Sequence, residues 1–343
     1  MLTSATLTVA DTIILKGYDT SQEEYDSMKE GNIHIVGMNL TSECNYRCPY
    51  CFVGSENLRT SPDEMTTAQK LNVIVQAKEC GTKVLIICGK GEPFADTAIW
   101  EIIEKASSLD MWTIIYTNGS LIKQCHLDSL SKANVSLMVK VDSLDPIDYE
   151  ASIGHKPPQD DIRGWVLELR DALPPQHEPF ENRILCRFGI NAVVSKANER
   201  SIPHFSQFCH EEQILFSCRV VQCTGNAIQN WDRLVGDEQN RLNKIAKECS
   251  MRIVSSQAPN GSCSIYRYGV TIENNGNIYM CPNSRVFQDR IGNVCEGPLE
   301  TLLKRRVEMF PLDSRSGYCF VRARNKQLDT SRKSGKLARI ITF

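Results

Sequence analysis

The sequence of 343 residues lacks the features that mark secreted, membrane and nucleic-acid-binding proteins. Residues 1–15 have no basic region followed by a long apolar core, so no signal peptide is expected. No run of about 18 apolar residues occurs, which excludes a predicted membrane-spanning helix. An excess of either charge is also absent, because 39 basic residues face 41 acidic ones. Nothing global therefore indicates nucleic acid or an anionic membrane as a partner.

Cysteine, by contrast, is abundant, with 15 residues in the chain. A cysteine-rich chain without an export signal indicates a reducing compartment, where thiols bind metals more often than they form disulfides. We therefore expect a cytoplasmic protein that uses some of its thiols as metal ligands.

Three of these cysteines crowd into the segment Cys44-Asn-Tyr-Arg-Cys48-Pro-Tyr-Cys51, directly after an apolar, strand-like run at 33–40. A tight loop after a strand can aim three sulfurs at one point, which suits a soft metal or an iron–sulfur cluster. Structural zinc usually takes four ligands as two separated pairs, and no His or Cys follows here until Cys80. The pattern favours a [4Fe–4S] cluster with one open iron over three chance cysteines.

The pattern C-x-x-x-C-x-x-C, with Tyr50 directly before its last cysteine, resembles the signature of radical S-adenosylmethionine (SAM) enzymes. The resemblance implies that the open iron binds the amino and carboxylate groups of SAM. Reduction of the cluster then releases methionine and a 5′-deoxyadenosyl radical. The resemblance further implies an external one-electron donor, such as flavodoxin or ferredoxin, and a place for Tyr50 in the cofactor site.

From residue 33 onward, strand-like and helix-like segments alternate. The pattern predicts strands at 33–40, 83–88, 112–116, 135–141, 184–194 and 215–221, and helices at 66–80, 97–109, 121–132, 160–173, 199–210 and 237–249. Six βα units imply an α/β fold with a parallel sheet, which binds ligands beyond the carboxyl ends of its strands. The resemblance implies a partial (β/α)6 TIM-like barrel over 33–250, preceded by an N-terminal extension at 1–32.

A glycine-rich turn, Cys88-Gly89-Lys90-Gly91-Glu92-Pro93, follows the second predicted strand. Its glycines allow the backbone to approach a ligand closely, and Glu92 offers an acceptor for a cationic group. The turn resembles the G-G-E-P motif that contacts the SAM amino group, with Lys90 as a departure. Gly89, Gly91, Glu92 and Pro93 are therefore predicted to bind the cofactor.

Further polar residues stand at the ends of the third and fourth strands. Thr117 and Asn118 precede a glycine and resemble the T-N-G that borders the SAM pocket, although an ordinary turn would look the same. Lys140 and Asp142 place two charges on one side of an otherwise apolar strand. They are interpreted either as a structural ion pair or as groups that hold the SAM carboxylate or substrate hydroxyls.

The last two strands end in apolar residues and a cysteine. By resemblance, Val193 and Val221 flank the adenine of SAM. Cys223, and Cys88 at the end of the second strand, are either small buried hydrophobes or thiols that donate a hydrogen atom to a substrate radical.

A second set of cysteines follows the predicted barrel. Asn-Gly between strand-like runs predicts a hairpin around residues 274–277, which would bring Cys263 near Cys281. This spacing resembles the opening of SPASM/twitch domains, and the resemblance implies an auxiliary [4Fe–4S] cluster in a small hairpin-and-helix domain at 251–321. By the same resemblance, Cys319 is the returning ligand, and a loop at 291–294 precedes a helix at 298–309. Cys295 either supplies the fourth ligand, which closes the cluster, or leaves one iron open to substrate. The alternative, a disulfide, is disfavoured by the compartment.

The basic tail at 322–343 is a solvated end or a patch for an acidic partner.

The resemblance covers most of the chain and predicts an oxidoreductase or epimerase. The expected substrate is a polar small molecule, such as an aminosugar, a cyclitol or a nucleoside. If the auxiliary cluster accepts an electron, the substrate is oxidised. If a thiol returns a hydrogen atom, the substrate is epimerised. A leaving group next to the radical would permit elimination. Peptide-modifying maturases are the alternative, but they often carry a leader-binding domain and denser SPASM cysteines. A non-catalytic iron–sulfur electron carrier would not need the Gly91-Glu92-Pro93 turn.

Overall fold

The computed structural model describes residues 12–28, 32–54, 61–178, 183–251, 268–282 and 289–309. The predictions for Cys263, Cys319 and the tail at 322–343 fall outside these ranges. The chain divides into two compact units. The first unit takes its described residues from 12–19, 45–54 and 116–251, and the second from 20–28, 32–44, 61–115, 268–282 and 289–309.

Strands and helices alternate from β2 to α5, as the sequence predicts, while later parts of the chain contain consecutive strands or consecutive helices. The strands are β1 (Thr12–Leu15), β2 (Ile35–Met38), β3 (Val84–Ile87), β4 (Trp112–Thr117), β5 (Val135–Val139), β6 (Gln176–Glu178), β7 (Arg183–Cys186), β8 (Phe188–Val194), β9 (Leu215–Val220), β10 (Gly269–Ile272), β11 (Asn277–Tyr279) and β12 (Arg290–Asn293). The helices are α1 (Gln22–Asp26), α2 (Thr67–Glu79), α3 (Ile99–Ser108), α4 (Gln124–Lys132), α5 (Pro146–Ile153), α6 (Ile162–Ala172), α7 (Ile202–Glu211), α8 (Ala227–Leu234), α9 (Gln239–Cys249) and α10 (Leu299–Met309).

The second unit is built on a mostly parallel sheet. Its strands lie in the order β12-β11-β10-β2-β3-β4, and β10, β2, β3 and β4 are parallel. Every residue of β2, β3 and β10 is buried, as expected for parallel strands covered on both faces. The predicted hairpin is confirmed as the antiparallel pair β10 and β11, and β10 also pairs in parallel with β2. The segment predicted as a loop at 291–294 is largely the strand β12, because it pairs with β11.

The first unit contains the parallel strands β5, β8 and β9 and a small separate sheet in the order β1-β7-β6. The single strand predicted at 184–194 is therefore two strands, β7 and β8, which belong to different sheets. The chain changes sheet at Arg187. Its guanidinium donates hydrogen bonds to the carbonyl oxygens of Leu130, Ser131 and Ala133 around the end of α4, and its Nε donates to Val135 at the start of β5.

Two helices of the first unit, α5 and α8, are absent from the sequence prediction. α5 carries readable signals, because Asp145 caps its first turn, Pro146 occupies its first position and Gly154 ends it in a left-handed conformation. α8 has no side-chain cap, so nothing in the sequence marks where it begins.

No helix within the described ranges is long and apolar enough to cross a membrane. The predicted α/β class with parallel strands is confirmed by both units.

A buried ion pair in the second unit gives a stability prediction. The Lys70 ammonium on α2 contacts the Asp96 carboxylate before α3, and both side chains are almost fully buried. We expect Lys70→Met to lower the free energy of unfolding by about 3–5 kcal/mol, because it leaves an unpaired buried carboxylate. Urea unfolding followed by circular dichroism measures this change. Lys132→Met removes the exposed pair with Asp128 and is the control, expected to leave the midpoint close to unchanged. Equal effects of the two substitutions would contradict the prediction.

Candidate active site

The cysteine loop forms a tight turn with its backbone groups fixed. The amide of Cys51 donates a hydrogen bond to the carbonyl of Cys48 at 3.1 Å. The side chains of Cys44, Cys48 and Cys51 are partly buried. The loop therefore carries three cysteine sulfurs within eight residues.

The start of α8 supports the same turn from the first unit, and sequence reasoning missed this contact. Asn226 donates from its side chain to the carbonyl of Cys48 and from its backbone amide to the carbonyl of Cys51, each at 2.9 Å. Asn230, one turn later, donates to the carbonyl of Pro49 at 3.3 Å. A Cβ at Gly225 would overlap the carbonyl of Cys51, so only glycine allows this approach.

Lys140 and Asp142, at the end of β5, form the ion pair that the sequence leaves open as one interpretation. The Lys140 ammonium contacts Oδ1 of Asp142. The Tyr50 hydroxyl donates to Oδ2 of Asp142 at 2.7 Å, and the Lys140 ammonium lies 4.7 Å from the centre of the Tyr50 ring. Both predicted residues therefore lie directly against the cysteine loop.

These charges act on the Cys48 thiol. The pKa of Cys48 is raised to about 12, mainly by burial; the Lys140 ammonium opposes this rise and the Asp142 carboxylate adds to it. Cys48 is thus a neutral thiol near pH 7 in the metal-free chain. Because metal ligation requires the thiolate, binding of iron must release this proton.

The glycine-rich turn is folded against the chain just before the cysteines. The Glu92 amide donates to the carbonyl of Glu43 at 2.7 Å. A Cβ at Gly91 would overlap that carbonyl, and a Cβ at Gly89 would overlap the carbonyl of Gly91. Glu92 is buried, and its Oε1 accepts from the amide of Phe94 at the short 3₁₀ turn Pro93–Ala95. The turn has no space for a Cβ at residue 89 or residue 91, so both positions require glycine.

Lys90, where the turn departs from the family motif, pairs with Glu273 at 2.6 Å. The side chain of the neighbouring Cys88 is partly buried. Desolvation, followed by the nearby Glu273 and Cys281, raises the pKa of the Cys88 thiol to about 12. Cys88 therefore keeps its S–H bond near neutral pH, as a hydrogen-atom donor must.

The Thr117-Asn118-Gly119 turn contacts the cysteine loop at a different residue. The Asn118 side chain donates to Oδ1 of Asn45 at 2.9 Å, and Thr117 Oγ1 accepts from the Gly119 amide at 2.9 Å. Gly119 has φ = 73°, and a Cβ there would meet the Trp165 ring at 2.8 Å. The turn thus fixes the side chain of Asn45 in the cysteine loop, and its place beside SAM stays a prediction.

β8 and β9 carry three polar side chains on one face, which sequence reasoning did not identify. Asn191 pairs with Ser217, and Val193 pairs with Arg219, so these four side chains share one face. Val193 is half-buried and the Arg219 side chain is exposed. Two further predicted residues follow β9, where Val221 is buried and Cys223 is exposed.

Two of the predicted auxiliary-cluster cysteines are described, and their surroundings differ. Cys281 is buried after β11. Cys295 is exposed, and its sulfur accepts a hydrogen bond from Gln69 at 3.3 Å. Their ligation of an auxiliary cluster stays a prediction.

The donor set of the cysteine loop fits a [4Fe–4S] cluster. Three soft thiols on a fixed turn suit iron–sulfur chemistry, and three ligands leave one iron open. Within the described ranges, no three His, Cys, Asp or Glu side chains converge closely enough to hold a single metal ion. A cubane is larger than one ion, so its ligands stand farther apart.

Two solved structures share the fold of this chain. SuiB of Streptococcus suis, bound to its precursor peptide SuiA, matches with a TM-score of 0.61 at 17% identity, over 86% of this chain and 73% of SuiB. The enzyme anSMEcpe with bound AdoMet matches with a TM-score of 0.55 at 15% identity, over 80% of this chain and 82% of that one. These likenesses show the fold, a partial TIM-like radical SAM barrel.

Curated relatives match parts of the chain. Fe-coproporphyrin III synthase from Methanosarcina barkeri (strain Fusaro / DSM 804) is 27% identical over 184 residues, which are 54% of this chain and 43% of that protein. PqqA peptide cyclase from Rhizobium meliloti (strain 1021) is 27% identical over 133 residues, 38% of this chain and 35% of the cyclase. An S-adenosylmethionine-dependent nucleotide dehydratase from Flammeovirga pacifica is 34% identical over 91 residues, 26% of this chain and 31% of the dehydratase. The chain spans less than half the length of each of these relatives.

A family model described as the radical SAM superfamily matches residues 13–191. The match covers more than half of the chain and includes both the cysteine loop and the glycine-rich turn. This chain belongs to the radical SAM superfamily.

Proposed function

We propose that this protein is an enzyme that removes a hydrogen atom from a C–H bond of a polar small molecule, such as an aminosugar, a cyclitol or a nucleoside. The superfamily uses a [4Fe–4S] cluster and SAM, which together supply a 5′-deoxyadenosyl radical when bound. In this chain, Cys44, Cys48 and Cys51 would hold the cluster. The Gly89–Pro93 turn would bind SAM, with Thr117, Asn118, Val193 and Val221 bordering it.

The polar face of β8 and β9 supports a polar substrate and is the observation that carries this proposal. Parallel sheets bind ligands beyond the carboxyl ends of their strands, and Arg219 lies next to the last residue of β9. Its side chain is exposed, while the half-buried Asn191 and the buried Ser217 add neutral hydrogen-bonding groups farther back along the same face. Arginine suits hydroxyl, carboxylate and phosphate groups as partners.

The fate of the substrate radical depends on what lies next to it. A thiol that returns a hydrogen atom would give epimerisation, and the exposed Cys223 and the protonated Cys88 are the candidates. An electron taken by an auxiliary cluster, with Cys263, Cys281, Cys319 and Cys295 as the proposed ligands, would give oxidation instead. An external one-electron donor, such as flavodoxin or ferredoxin, would reduce the SAM-binding cluster.

A peptide substrate is the second candidate. It is favoured by the similarity to PqqA peptide cyclase and by the fold shared with SuiB, whose structure contains a precursor peptide. A non-catalytic electron carrier is the third candidate. It is less well supported, because an electron carrier would have no use for the constrained turn at Gly91.

The experiment that separates these candidates is an anaerobic incubation with SAM and a reductant in deuterated buffer. Small polar metabolites and peptides are supplied in separate panels, and products are analysed by mass spectrometry. Loss of two hydrogens indicates oxidation, and one solvent deuterium at carbon indicates epimerisation. Modification of peptides alone would overturn the small-molecule proposal, and an absence of 5′-deoxyadenosine with every panel would favour the electron carrier.

Arg219→Ala tests the proposed substrate face. We expect it to weaken substrate binding by about 1.5–3 kcal/mol, because it removes a charged hydrogen-bond donor. The corresponding rise in KM is roughly tenfold to hundredfold. Arg200→Ala removes another exposed arginine, outside the strand face, and is the matched control. A wild-type KM for Arg219→Ala would place the substrate elsewhere.

A further inference from the structure

The fully buried carboxylate of Asp142 has a role beyond an ion pair. Its Oδ1 contacts the Lys140 ammonium and accepts from the Val193 amide at 2.7 Å. Its Oδ2 accepts from the hydroxyls of Tyr50 and Ser152, each at 2.7 Å. Burial of a carboxylate is costly unless it is paired and hydrogen-bonded, and here each oxygen has two donors. Asp142 can therefore act on a bound cofactor only through the groups that it holds.

One of those groups belongs to the cluster loop. Tyr50 stands directly before Cys51, so a fixed phenol ring restricts the turn that carries Cys48 and Cys51. The carbonyls of this turn are held on another side by Asn226 and Asn230. The turn is thus held both through its aromatic side chain and through its backbone.

The same carboxylate balances a charge beside the cluster ligand. The Lys140 ammonium lies over the Tyr50 ring and the Asp142 carboxylate accepts from the Tyr50 hydroxyl, so two opposite charges lie beside the residue that precedes Cys51. While the pair is intact, the two charges partly cancel. Removal of one partner leaves an uncompensated charge in a buried environment, where charges are poorly screened.

We propose that Asp142 is a positioning residue of the iron–sulfur centre, which fixes the Cys48–Cys51 turn through Tyr50 and, together with Lys140, sets the reduction potential of the cluster. The residues around an iron–sulfur cluster adjust its potential through charge and hydrogen bonding. This role needs only the cluster of the superfamily and does not depend on the substrate proposed above. Failure of the substrate panels would therefore leave it unaffected.

Tyr50→Phe and Ser152→Ala provide a matched test of the positioning role. Each removes one hydroxyl donor from the same oxygen of Asp142, but only Tyr50 lies in the cluster loop. After anaerobic reconstitution, we expect Tyr50→Phe to lose iron to a chelator about tenfold faster than the wild type, as found for outer groups of metal sites. We also expect it to alter the electron paramagnetic resonance spectrum of the reduced cluster. Ser152→Ala should retain the wild-type rate and spectrum. Equal behaviour of the two variants, whether changed or unchanged, would overturn the positioning role.

Asp142→Asn and Lys140→Met test the electrostatic role. Asparagine can keep the contacts, because its oxygen accepts from Val193 and Lys140 while its amide donates to the two hydroxyls. The removed negative charge should shift the midpoint potential of the cluster to a more positive value. Lys140→Met should shift it to a more negative value. Potentiometric titration followed by electron paramagnetic resonance measures both shifts. Shifts of the same sign, or no shift in Asp142→Asn with a loaded cluster, would overturn this role.

Discussion

Replacing Cys44, Cys48 and Cys51 together by alanine is expected to remove about four iron atoms per chain. It should also abolish the formation of 5′-deoxyadenosine from SAM. The three thiols are the proposed cluster ligands, and Asn226 holds the carbonyls of Cys48 and Cys51 in the turn that carries them. Iron analysis, absorption spectra and quantification of 5′-deoxyadenosine after anaerobic reconstitution measure the two losses.

The control for this prediction is Cys125→Ala, which removes an exposed cysteine on α4. It should retain the wild-type iron content and activity, and circular dichroism should show that both variants are folded. Wild-type iron content in the triple variant would contradict the assignment of the loop as the cluster site.

Iron that remains in the triple variant has a specific interpretation. If the proposed auxiliary cluster forms, about four iron atoms should remain and should be lost when Cys281 is also replaced. The exposed Cys295 differs from the buried Cys281 in its surroundings, and Cys295→Ala shows whether its thiol takes part. If Cys295→Ala retains the auxiliary iron, Cys295 is not a ligand, and the fourth position of that cluster is available to another group.

The sequence predicts the positions of most strands because parallel strands buried on both faces are short apolar runs. β2, β3 and β5 lie inside their predicted ranges, and the capping residue Thr66 places the start of α2. The division between β7 and β8 could not be predicted, since both strands are apolar and only Arg187 interrupts them. The reason for the interruption is tertiary, because its guanidinium binds the carbonyl groups that end α4.

The candidate site shows the same limit. Its cysteines and glycines can be identified from the sequence because metal ligation and close backbone approach require particular residue types. Asn226 cannot be identified in this way, since it acts through two hydrogen bonds to a loop more than 170 residues earlier. The charges of Lys140 and Asp142 were conspicuous in an apolar strand, but only the structure reveals their contact with Tyr50.

Gly91→Ala is expected to weaken SAM binding while leaving the fold intact. The added Cβ would overlap the Glu43 carbonyl, which also accepts the hydrogen bond from the Glu92 amide at 2.7 Å. Because the obstacle is backbone and not a flexible side chain, the whole turn must shift. Overpacking of this kind costs about 1–3 kcal/mol. If this cost falls on the SAM-bound turn, the affinity drops roughly fivefold to hundredfold.

Gly297→Ala is the matched control, because a Cβ at Gly297 meets no atom within 4 Å. Equilibrium binding of SAM to the reconstituted variants, with urea unfolding measured in parallel, distinguishes a local effect on the turn from general destabilisation. We expect Gly297→Ala to match the wild type in both measurements. If Gly91→Ala bound SAM as tightly as Gly297→Ala, the close packing of Gly91 on Glu43 would have no part in forming the cofactor site. Glycine at position 91 would then serve only the packing of the folded chain.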